Sequence, residues 1–177
     1  WHHNTASGYQ SLIGNISGTY NTADGFQSLY TNTSGNSSTA YGALSLYSNT
    51  TGYNNTADGV LSLYNNSTGA DNTAVGFQAG YNSSVALTTL TSSTFFGYKA
   101  NASTNGLTNV VVIGSASQAT ASNQVVLGNT SITQTLLRGN VGIGDSSPSD
   151  KLTVYGGNLR VGNGTVSSTL GANFLAV

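Results

Sequence analysis

The sequence predicts an all-β protein: a parallel β-solenoid, or β-roll, of 17-residue and then ~14-residue coils, assembled as an intertwined or side-by-side homotrimer. Three observations predict it. Five consecutive stretches repeat at a spacing of 17 without insertion or deletion. Each period carries two glycine columns separated by polar turn residues. The composition also denies a helical bundle its materials, because Glu is absent and Lys plus Arg total 4 in 177 residues.

The repeat is read by stepping 17 residues from Asn-Thr-Ala. Ala6, Ala23, Ala40, Ala57 and Ala74 fall in register, as do Gly8, Gly25, Gly42, Gly59 and Gly76. Leu12, Leu29, Leu46 and Leu63 follow, and beside them runs the column Ile13, Tyr30, Tyr47, Tyr64 and Tyr81. Asn15, Asn32, Asn49 and Asn66 precede the second glycine column of Gly18, Gly35, Gly52 and Gly69. The consensus is N-T-A-x-G-x-Q-S-L-Y-x-N-T-T-G-x-x. Helix-pair repeats need about 33 residues or more, whereas a β-solenoid coil fits this period. Two short strands per coil are expected, one near Asn-Thr-Ala-x-Gly-x and one near Gln-Ser-Leu-Tyr, joined by Gly/Asn turns. Stacked at ~4.8 Å, like residues form columns, and one extra residue would turn the following side chains inside out. Alternation places Ala23 and Gly25 on one face, Thr22 and Asp24 on the other, with Leu29 filling the wider end. The polar columns are expected to face out or occupy turns.

Three segments are expected: the 17-residue array at 1–87, a shorter-coil solenoid at 88–144 and a strand segment at 145–177. Residues 82–93 read as an interruption between the arrays, a loop or bulged coil. Thr94-Phe-Phe-Gly97, Val111-Val-Ile-Gly114 and Val125-Val-Leu-Gly128 mark further coils, with glycines 17 and then 14 residues apart. Val141-Gly-Ile-Gly144 and the following Pro148 turn read as the end of the second array. Lys151–Tyr155 and Asn158–Val161 read as short strands around Gly156-Gly157.

At this point the residues resemble known families. NVVVIGSASQATASNQVVLGNTSI, residues 109–132, resembles the head repeats of trimeric autotransporter adhesins. That resemblance implies left-handed parallel β-rolls with three chains side by side. NVGIGDSSPSDKLTVYGGNLRVG, residues 140–162, is similar to a segment common in bacterial and phage tail-fibre-domain proteins, often preceded by 17-residue arrays such as NTADGFQSLY. The adhesins' membrane-anchoring barrel and the tail fibres' self-cleaving chaperone domain are not among these residues.

Composition bounds the function. Ser, Thr and Asn supply roughly 40% of the chain, against a globular norm rich in Leu, Ala and charged residues. Charged residues make up 5% and the net charge is −1, so no basic stripe exists for nucleic acid. No apolar run approaches a membrane span of ~18 residues. Catalytic acid–base pairs are not apparent: the two His residues, His2 and His3, adjoin Trp1, and adjacent side chains of a strand point apart. No catalytic residue, metal site or cofactor is expected. Asp24 and Asp58 share a repeat position but lie two coils apart, about 9.6 Å, too far for a common cation.

The expected function is a non-enzymatic structural segment of an extracellular filament or attachment fibre, on a cell surface or virion. Its expected partner is itself, as a trimer and by end-to-end stacking of open coils. The column Ile13, Tyr30, Tyr47, Tyr64, Tyr81 is the expected assembly face, with glycan stacking as the alternative. Asn15, Asn32, Asn49 and Asn66 each open an N-x-S/T sequon and are candidate glycosylation sites, against an Asn ladder that satisfies turn carbonyls. A receptor- or glycan-binding tip and an ice-binding solenoid, the latter on the column Thr5, Thr22, Thr39, Thr56, Thr73, are the competing readings.

Overall fold

A computed structural model describes residues 3–154. The chain divides into two compact units, Trp1–Thr133 and Gln134–Val177. The first is a parallel β-solenoid in which one short strand per coil builds a single sheet. Its strands are β1 (Thr5–Ser7), β2 (Thr22–Asp24), β3 (Thr39–Tyr41), β4 (Thr56–Asp58), β5 (Thr73–Val75) and β6 (Thr94–Phe96). After β7 (Asn101–Ala102), β8 (Val111–Ile113) and β9 (Gln118–Ala119) comes β10 (Val125–Leu127). The sheet order is β1-β2-β3-β4-β5-β6-β8-β10, entirely parallel. Register follows the repeat, with Ala6 over Ala23, Ala40, Ala57 and Ala74, and then Phe95 and Val112.

Strand alternation is as the sequence predicts: Ala23 is buried, Asp24 exposed. The second strand of each coil is different. In the first coils Gln-Ser-Leu-Tyr forms a turn, because Gln27 (φ 53°) and Leu29 (φ 49°) both adopt left-handed backbone. This flip aims Leu29, Leu46 and Leu63 inward, all fully buried, and leaves the following tyrosine half-exposed. The rungs still pair there, for example through Leu29 N–H donating to Ser45 O at 3.0 Å. A true second strand appears later, where β7 pairs with β9 and Ala102 and Ala119 face the core instead.

Residues 82–93 bulge one coil of a continuous sheet, the second of the two forms expected. Ser67 N–H donates to Thr88 O where Thr50 N–H donates to Ser67 O, so the coil spacing rises from 17 to 21 residues and then returns to register. The insert supplies Leu87 and Leu90 to the core, both fully buried. The sheet runs straight across the expected 87/88 boundary. Val141–Ile143 (β11) pairs in parallel with Leu152–Val154 (β12), so this segment belongs to the following unit and does not end the second array. The expected strand Asn158–Val161 lies outside the described residues.

Left-handed corners recur away from glycine, as at Ser37 (φ 54°), Asn54 (φ 54°) and Asp71 (φ 59°) in one column. An L-residue pays roughly 1–2 kcal/mol in this region, and asparagine escapes much of that cost. Ser37 is exposed. Ser37→Asn is therefore expected to raise the melting temperature, gaining about 0.5 kcal/mol. An unchanged or lowered midpoint in thermal denaturation would contradict a left-handed corner there.

Candidate functional site: the stacked columns

The interior is partly polar, and its polar part is organised. Asn32 and Asn49 are fully buried. Asn49 Nδ2 donates to Asn32 Oδ1 at 2.7 Å in the coil before and to Gly52 O at 3.0 Å in its own turn. Asn32 repeats this, donating to Asn15 Oδ1 (2.8 Å) and Gly35 O (3.1 Å). Both amide hydrogens are thus used on each rung, which is why a short planar amide suits the position. The column stops at Asn66: its Nδ2 donates to Gly69 O, and the Oδ1 atoms of Asn49 and Asn66 are buried without a partner. Leu87 occupies the next rung in this position, in step with the pairing of Ser67 and Thr88.

A second buried amide column was not anticipated, although its signal is the Asn that opens N-T-A. Asn21, Asn55 and Asn72 are almost wholly enclosed. Asn21 Oδ1 accepts from Ser38 N–H (3.0 Å) and its Nδ2 donates to Gly35 O (2.7 Å). Gly35 O and Gly69 O each receive donors from both asparagine columns. The asparagine columns sit in turns and bond turn carbonyls, one of the two placements expected of polar columns, and they are also core, since a buried polar group is tolerable when its hydrogen bonds are made.

This geometry places the candidate glycosylation positions. Asn32, Asn49 and Asn66 are buried and Asn15 is half-buried, each with Nδ2 donating inside the turn. A sugar on Nδ2 would replace one of those hydrogens and have to fit where the next coil packs.

The tyrosine column is also brought together. Tyr30 and Tyr47 stack with centroids 5.0 Å apart and planes 3° from parallel, and Tyr47 and Tyr64 stack at 5.1 Å and 6°. Tyr81 meets Tyr64 edge-on at 73°. Ile13 begins the column, exposed. Ring faces are spent on each other, so solvent meets chiefly edges and hydroxyls, whereas a sugar stacks on a free face. Burial, reinforced by the phenols of Tyr47 and Tyr81, raises the Tyr64 pKa above its ordinary 10.0. A raised folded-state pKa leaves the stack's contribution whole below pH ~10 and erodes it as pH climbs further. In an ultraviolet phenolate titration, Tyr64→Phe is accordingly expected to remove absorbance change that occurs above the ordinary phenol pKa. Loss of absorbance change below that pKa instead would refute this assignment.

Among the described residues no three His, Cys, Asp or Glu side chains cluster as metal ligands, and no helix is long and apolar enough to cross a membrane. Asp24 and Asp58 are separated by Tyr41 in the register, two rungs apart. His3 stacks on Tyr20 at 5.2 Å and 8°, while Trp1 and His2 lie outside the described residues. Comparison with protein-family models, curated proteins and solved structures finds no match.

Proposed function

We propose that this chain is a non-enzymatic structural segment of an extracellular filament or attachment fibre, on a cell surface or virion, working as a side-by-side homotrimer that presents a repetitive polar surface. One observation supports the reading most: eight rungs run in one parallel sheet, with Thr on Thr and Ala on Ala through its first five strands. In a ladder of this kind axial load passes through every rung in series and is shared, at each, by that coil's backbone hydrogen bonds. Its near-lack of charge leaves little for salt to screen.

Single-molecule extension of the full chain tests it. Peeling one coil of 17 residues releases roughly 56–61 Å of chain, so a sawtooth with that spacing is expected. Featureless lengthening at negligible load would refute a load-bearing role. Glycan-array binding would favour a receptor-binding tip instead, and the edge-presenting tyrosines speak for silence. An ice-binding face is disfavoured by the outward residues two along from its Thr column, which change from Ser7 to Asp24, Tyr41, Asp58 and Val75.

A further inference from the structure

The tyrosine stack is not the most exposed apolar surface of the solenoid. Two other columns flank the first glycine column, one residue before it and one after. After the glycine come Tyr9, Phe26, Val60, Phe77 and Tyr98, all exposed. Where this column weakens to Ala43, the strand residue before the glycine becomes Tyr41, 46% exposed. Later rungs continue with Phe96 (55%), Ile113 and Leu127 (52%). Every rung from β1 to β10 therefore presents at least one large apolar side chain, and the loss at Ala43 is compensated on its own rung. Within the column, Tyr9 stacks on Phe26 at 5.6 Å and Phe77 on Tyr98 at 5.7 Å.

We propose that this stripe, rather than the Tyr30–Tyr81 column, is the face on which a second copy of this chain lies, parallel and in register. The inference rests on the fibre reading, in that the copies brought together are the strands of one fibre. Area, pitch and polarity carry it. An aromatic side chain buries about 150–250 Å². The half-exposed aromatics of the stripe with Val60, Ile113 and Leu127 thus offer on the order of 800 Å² per copy, what a stable pair needs. Apolar groups repeat here at the ~4.8 Å rung spacing. A partner with another spacing would drift out of step within a few rungs, whereas a second copy matches at each. Finally, the stripe is uneven. Asp24 and Asp58 interrupt its first half, while Phe96, Tyr98, Ile113 and Leu127 crowd the second. Parallel alignment sets the apolar half against itself; antiparallel alignment would set it against the two carboxylates.

The chain contains no cysteine, so single cysteines report proximity cleanly. Phe77→Cys, Tyr98→Cys, Tyr47→Cys and the exposed control Ser34→Cys would be made in the full chain, checked for unchanged circular dichroism and exposed to a mild thiol oxidant. Cysteines at 77 and 98 are expected to form inter-chain disulfides with themselves at least tenfold faster than those at 47 and 34. Fastest coupling at 47, or equal rates at all four, overturns the assignment of the face. Sedimentation of the unsubstituted chain supplies a readout independent of any variant. A monomer at about 50 µM overturns the proposal, and the extension experiment then shows separately whether the load-bearing reading survives.

Discussion

Gly35→Ala is expected to cost about 3 kcal/mol or more of stability, combining overpacking with lost buried hydrogen bonds. The added methyl would stand 2.6 Å from Asn49 Nδ2 and 2.5 Å from Asn32 Oδ1, and would press on the carbonyl oxygen of Gly52. None of these is the loose end of a flexible side chain. Two atoms belong to the amide ladder and the third to the backbone of the next coil, so relief requires moving the rung spacing itself. Gly35 O also receives Asn21 Nδ2 and Asn32 Nδ2, and a displaced turn weakens both bonds. Gly139→Ala is the matched control, because nothing lies within 4 Å of the added carbon there. Urea denaturation compares them directly. A loss below about 0.5 kcal/mol at Gly35, within the scatter of ordinary surface substitutions, would mean that the coils are not stacked this closely.

The period, the parallel register and the inward Ala and Leu columns were legible because each needs only identity at a fixed spacing. A ladder of asparagines satisfying turn carbonyls was legible too, but its burial was not, because residue type alone assigns Asn to turns and surfaces. Only the joint recurrence of Asn32 and of Asn21 with Gly35 carries the hidden geometry: both amides donate to its carbonyl, and the glycine is bare because a Cβ would meet Asn32 Oδ1 and Asn49 Nδ2. The same pairing explains the insert. Leu87 and Leu90 sit where preceding coils carry Asn66 and Gly69, as shown by Ser67 bonding Thr88 and by Asn72 Nδ2 donating to Leu90 O at 2.6 Å. An amide–glycine pair has been exchanged for two leucines. Both members change together, since either leucine alone would meet its polar counterpart. A similar exchange occurs one column over. Gly80 replaces the column leucine and Phe95 replaces the column alanine of the next rung, with the phenyl ring 3.4 Å from where a Gly80 side chain would begin. The turn at Gln-Ser-Leu-Tyr was illegible for a different reason. Left-handed Leu29, Leu46 and Leu63 violate local preference and are held by the burial of their side chains.

Asn49→Asp turns the amide ladder into a pH-dependent element. The substitution keeps shape and volume but puts an oxygen where Nδ2 now faces two acceptors, Asn32 Oδ1 and Gly52 O. A protonated carboxyl restores one of these bonds, whereas an ionised one restores neither and is buried beside two partial negative charges. Desolvation and repulsion both favour the neutral acid, so the folded-state pKa rises above the unfolded value of ~3.9. For a raised pKa, stability is fully retained below the unfolded value and lost as pH rises toward the folded one. The deficit relative to the parent chain is therefore expected to be smallest near pH 3. It should widen by about 1.4 kcal/mol per pH unit and approach roughly 4 kcal/mol at neutrality, equivalent to a shift of three units. Asn65→Asp, one position outside the column and half-exposed, should show almost none of this slope. Equilibrium unfolding at a series of pH values separates the outcomes: a deficit at residue 49 that stays flat from pH 3 to 7 would mean that its amide is not enclosed between neighbouring rungs.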